Sequence, residues 1–92
     1  MSNIHAVEFT DTFAGEANYS WVRRAEIVMP DLTHYGYDGA YGYAKAAKAY
    51  HRELMRKAKA AMGLAGARGK TVEVGEIIEF RPYGMNVVMF VD

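Results

Sequence analysis

At 92 residues, with 51% hydrophobic side chains and no cysteine, the chain makes one small domain that stands on its apolar core, without disulfides, thiolate metal sites or thiol catalysis. It is too apolar for a disordered tail, and no apolar run is long enough for a membrane helix. Net charge is zero but unevenly spread: residues 1–43 carry −4, residues 44–70 carry +7 with Glu53 as their lone acid, and residues 71–92 carry −3.

The opening stretch "MSNIHAVEF" has no basic start followed by an apolar core, so a cytoplasmic protein is expected. In residues 4–13, His5, Val7 and Phe9 alternate with Ala6, Glu8 and Thr10, the period of a strand. Turn residues fill "AGEAN" (14–18), and the aromatic and β-branched run 19–29 predicts a second strand in a hairpin, stopped by Pro30. Within that strand, one parity sends Trp21 and Arg23 away from the helix. The other makes Trp21 core and turns Arg24 outward.

Residues 31–43 hold three glycines and four tyrosines, which predicts a loop packed by its own rings. Asp38 is the expected N-cap of a helix over 43–62, where Ala, Leu, Met, Lys and Arg dominate. Tyr43, Ala47, Tyr50, Leu54, Ala58 and Ala61 recur at helical spacing as the expected buried stripe, and Gly63 is the expected closing residue.

A loop over 64–70 leads to an alternating strand over 71–82, with Gly75 marking a bulge or kink. A turn at 82–84 and a last strand over 85–92 complete the chain. The expected fold is therefore α+β in the order ββαββ: one domain over 1–92, a four-stranded antiparallel sheet with one helix on one face. The run "VVMFV" (87–91) has no polar position, so this strand should lie centrally or pair with another chain. The sheet face away from the helix should be partly covered, for which a second copy, giving a homodimer, is the candidate.

Few groups suit catalysis. His5, His34 and His51 show no metal-ligand spacing, and neither Ser2 nor Ser20 sits in a nucleophile-elbow sequence. Glu73, Glu76 and Glu79 are split between faces by strand parity. The stretch "GLAGARGKT" (63–71) places one residue too many before its Gly-Lys pair and closes a helix instead of opening one, so it is no phosphate loop. No catalytic residue, metal or cofactor is expected.

Two surfaces remain. Tyr35, Tyr37 and Tyr41, with Tyr43 beside them, offer rings to a protein partner or to nucleic-acid bases, or simply pack the loop over the core edge. At about 100° per residue, Lys45, Lys48, Arg52, Arg56 and Lys59 fall within roughly 80° of one another, opposite the buried stripe. Cations stacked at this spacing repel by about 0.2–0.5 kcal/mol per pair. Either acids elsewhere, such as Glu73 or Glu79, neutralise them, or they meet an anionic surface on a nucleic acid or an acidic protein.

At "DTFAGEANYSWVRR" (11–24) and "EFRPYGMNVVMFVD" (79–92) the chain resembles small proteins encoded by bacteriophages, prophages and plasmids. The resemblance covers both hairpin regions and carries no catalytic residues. It implies a mobile-element setting, in which small domains of this kind occupy host proteins, as inhibitors of CRISPR or restriction systems do. The expected function is non-enzymatic binding of a host protein or nucleoprotein. The alternative is a small DNA- or RNA-binding regulator acting through the basic helix.

Overall fold

The computed structural model describes residues 3–92; Ser2 lies outside them. Two long strands, β1 (Asn3–Phe13) and β2 (Glu16–Met29), precede a short 3₁₀ helix (Leu32–Tyr35) and the helix α1 (Tyr43–Ala61). Three strands follow: β3 (Gly69–Val74), β4 (Ile77–Pro82) and β5 (Val87–Val91). All pairings are antiparallel, in the order β2-β1-β5-β4-β3. The fold is α+β with one helix, as expected, but the sheet has five strands, not four.

The extra strand comes from Gly75. It is not a kink within one strand but the first residue of a two-residue hairpin loop, Gly75-Glu76, with φ of 62°. Glycine enters that region without steric cost, which is why tight hairpins place it there. The adjacent pair Ile77-Ile78, which breaks a two-residue period, sends one side chain to each face. Ile78 is half-buried toward the helix and Ile77 is exposed on the opposite side.

Cross-strand register fixes the inner face. Val7 pairs with Val91, Phe9 with Met89, Phe80 with Met89, and His5 with Ile27. Val7, Phe9, Ile27, Met29, Phe80, Met89 and Val91 form one core with Leu54, Met55, Ala58, Met62 and Leu64. β5, the most apolar strand, lies between β1 and β4, the central alternative of the two expected for it. The chain leaves the sheet at β2, crosses the inner face as α1, and re-enters at the far edge as β3.

The helix occupies nearly its expected span. Its C-terminus closes as a Schellman turn: Leu64 N–H donates to the Lys59 carbonyl at 2.7 Å, Gly63 N–H to that of Ala60, and Leu64 is buried. The buried arc is rotated from the expected stripe. Leu54 and Ala58 are buried at 2% and 0% exposure, whereas Tyr43 and Ala61 are exposed and Ala46, Met55 and Met62 take their places. Asp38 does not cap the helix. Its Oδ1 accepts the backbone N–H groups of Ala40 and Tyr41 at 3.0 and 2.7 Å, making a local turn, and Gly42 stands at the N-cap.

The outer face of the sheet is partly covered by the chain itself. The β1–β2 hairpin curls back so that Arg81 Nη1, two strands away on β4, donates to the Gly15 carbonyl at 2.7 Å. Beneath it Thr10 and Val88 are fully buried. The curl is held at a register shift between Thr10 and Thr12, opposite Tyr19, whose φ is 55°. Thr10 Oγ1 accepts from Tyr19 N–H and donates to the Trp21 carbonyl. Asp11 accepts from Ser20 N–H at 3.0 Å, Ser20 Oγ at 2.6 Å and Asn18 Nδ2 at 3.0 Å. The parity that turns Arg24 outward is the one adopted: Arg24 Nε donates to Glu8 at 3.2 Å. Trp21 sets its ring edge on Phe9, 5.1 Å between centroids, yet keeps 41% exposure.

Candidate functional site

The outer face of α1 is set by the inner one. With Leu54 and Ala58 locked against the sheet, the helical period turns Lys45, Lys48, Arg52 and Arg56 to solvent, and all four are exposed. At 1.5 Å rise per residue they form a row about 16 Å long.

Of the carboxylates that might neutralise this row, Glu53 reaches Arg56 at one end of it, and Glu73 and Glu79 are engaged elsewhere. Glu79 lies on the opposite side of the sheet, where Arg81 Nε approaches it at 3.1 Å. Glu73 faces His51, with 3.7 Å between Oε1 and Nε2. Glu53 accepts a hydrogen bond from the Tyr35 hydroxyl and lies 3.6 Å from Arg56 and 3.8 Å from Lys57. That hydroxyl, first of all, and then the neighbouring cations hold the Glu53 carboxyl below its ordinary range. Among the described residues, no carboxylate stands within ion-pair distance of Lys45, Lys48 or Arg52.

Lys59 differs from the other four. Its half-buried ammonium sits 4.8 Å above the centre of the Phe80 ring and donates to the Ala67 carbonyl at 3.2 Å, closing the end of the core. It packs the fold and lends only part of its charge to the surface.

The tyrosines also divide. Tyr35 sets its edge on Tyr50, and burial together with the Glu53 hydrogen bond pushes its hydroxyl up to about 12. Tyr50 in turn donates to His5 Nε2 at 2.5 Å, while His5 Nδ1–H donates to the Asp92 carbonyl at 2.9 Å. Tyr35 thus belongs to a chain of side chains tying the 3₁₀ segment, α1 and β1 together. Tyr37 is half-buried against Tyr43, 5.6 Å between centroids. Tyr41 alone of the three candidate rings is free, at 78% exposure, and Tyr43 beside it is 60% exposed at the start of the basic row.

A groove of about 800 Å³ runs beside the row, between α1 and the edge strand β3. Lys48, His51, Arg52, Arg56 and Lys59 line one wall, and Thr71 with Ala65 and Gly66 of the loop after α1 the other, with Met55 between them. Sequence reasoning found the cations but not this groove, because it depends on β3 being the outermost strand.

The described residues contain no helix long and apolar enough to cross a membrane. Comparison with family models, with curated proteins and with solved structures returned no match.

Proposed function

We propose that this protein is a non-enzymatic interaction module of a mobile genetic element, acting in the host cytoplasm, that docks the basic face of α1 on an anionic patch of a host protein or nucleoprotein. Occupation of a defence complex such as a CRISPR effector fits that setting. One observation carries the proposal: Lys45, Lys48 and Arg52 stack at helical spacing, while Glu53, Glu73 and Glu79 are turned to other partners. Like charges so arranged destabilise a helix by about 0.2–0.5 kcal/mol per pair, and an anionic partner relieves that repulsion. The non-enzymatic part is supported by the work its perturbed groups already do. Asp11 holds a hairpin, Asp38 a turn, and Tyr35 with Glu53 a helix contact.

A second reading, a DNA- or RNA-binding regulator, is favoured by Tyr41 and Tyr43, whose exposed rings stand at the head of the row where bases could stack.

Salt elution from immobilised heparin, used as a generic polyanion, tests the basic face. The parent should be retained and the triple variant Lys48→Glu, Arg52→Glu, Arg56→Glu should run through, with unchanged circular dichroism. Equal retention of both would sink the proposal. Titration with mixed-sequence single-stranded and duplex oligonucleotides separates the readings. Four cations on phosphates give a log affinity against log salt slope of about −3 to −4, and loss of a stacking ring costs about 1–3 kcal/mol at Tyr41→Ala. A flat slope and an indifferent Tyr41 leave the protein-docking reading in place.

A further inference from the structure

We infer that the partner surface met by the basic face is an extended acidic peptide, which adds to the sheet as a sixth strand along β3. This rests on the basic-face reading above and names its partner.

Two independent features meet at the same place. The first is the sheet edge. β3 ends the strand order and pairs only with β4, so one side of its backbone presents unpaired N–H and C=O groups over six residues. It contains no proline, and Lys70, Thr71, Glu73 and Val74 are exposed. The second is the groove. Register places Thr71 opposite Phe80 and Glu73 opposite Ile78, so both point toward the helix side. There Lys48, Arg52 and Arg56 line the same groove as Thr71.

A strand added about 4.8 Å beyond β3 would turn every second side chain into that groove. Acidic residues at those positions would reach the cations, and the main chain would complete the ladder, the mode by which peptides extend exposed sheet edges. The opposite edge does not offer this. On the β2 side Ile27 and Met29 are buried, and the 3₁₀ segment fills the space beside the helix with Tyr35 against Tyr50.

The edge also discriminates between polyanions. A phosphodiester backbone carries acceptors only, so it meets the β3 carbonyls as like dipoles. A peptide alternates donor and acceptor at the strand's own spacing.

The test uses a fluorescein-labelled octapeptide of alternating glutamate and threonine, followed by anisotropy at low salt. Two N-methylated versions block the backbone N–H groups of odd or of even positions and keep every charge. The unmethylated peptide should bind, one methylated version should lose at least tenfold, and the other should be nearly unaffected. Backbone amides of residues 70–74 should exchange more slowly in the complex. If both methylated peptides bind within twofold of the parent peptide, or those amides are unchanged, strand addition is wrong. The Lys48→Glu, Arg52→Glu, Arg56→Glu variant separates the two levels. Its failure to bind any version, alongside indifference to methylation, leaves the basic face standing without strand addition. Undiminished binding by that variant removes both. An octapeptide that does not bind at all, while heparin does, overturns strand addition alone.

Discussion

At the end of the β1–β2 hairpin, the Asp11 carboxylate is surrounded by donors from Ser20 and Asn18, whereas Lys45, Lys48 and Arg52 on the outer face of α1 approach no carboxylate among the described residues. Both regions are polar and solvent-exposed. In the hairpin the charge is consumed by the backbone it organises: it fixes the register shift, the left-handed Tyr19 and the curl that covers Thr10 and Val88. On the helix the charge organises nothing in the fold, and its neighbours repel it. The difference separates polar residues that build the structure from those the structure merely displays.

The largest expected effect lies on the inner side of the same helix. Leu54→Ala should cost about 2–5 kcal/mol through lost burial and a cavity, a large part of the roughly 5–15 kcal/mol that holds a domain of this kind. A thermal melt reads this directly. An unchanged melt would mean that α1 is not pinned by that face, and the distinction between its two sides would lose its basis.

Asp11→Asn comes next. The hydroxyl of Ser20 first, then Asn18, hold the Asp11 carboxyl far below its ordinary 3.8. A depressed carboxyl contributes stability above its unfolded value and loses it as pH falls toward the folded one. The parent's melting temperature should therefore drop as pH is lowered below about 4. The variant should melt lower at neutral pH and change less on acidification, with Asp38 and Glu53, also depressed, supplying the remaining slope. Parallel pH curves for the two proteins would show that the hairpin does not use this charge.

Ala14→Gly sharpens the same region in the opposite direction. Ala14 and Gly15 form the two-residue hairpin loop, and Ala14 has φ of 52°. The left-handed region costs a non-glycine residue roughly 1–2 kcal/mol, and added freedom in the unfolded chain returns about 0.4–1. A net gain of about 0.5–1 kcal/mol is expected in chemical denaturation. A loss would place the strain elsewhere in the hairpin.

The helix was largely legible in the sequence because its signals are local. Composition places it over 43–62 against Tyr43–Ala61 observed, and Gly63 closes it as expected. The cationic row was legible for the same reason. What escaped depends on partners far along the chain. Gly75 reads as a bulge until the Lys70–Arg81 register shows two strands. Lys59 reads as one of five equals until Phe80 arrives beneath it. The curl of the hairpin rests on hydrogen bonds to Asp11 across nine residues and from Arg81 across sixty-six, which no short-range pattern encodes. Asp38 failed as a cap for a local reason: its side chain reached the N–H groups of its own turn before the helix began.

The smallest effect is the most direct test of the claim that the outer face is not used by the fold. The measurement is the melting temperature at low ionic strength of the Lys48→Glu, Arg52→Glu, Arg56→Glu variant beside the parent. Acids at positions 48 and 56 gain Lys45 and Lys59 as opposite charges, worth about 0.2–0.5 kcal/mol per pair. This offsets the loss of the Arg56–Glu53 pair, while positions 48, 52 and 56 repel one another as before. The variant should melt at the parent's temperature or slightly above it, with the difference shrinking as salt is added. A variant that melts several degrees lower would show that these cations stabilise the protein itself, contradicting the view that they are displayed for a partner.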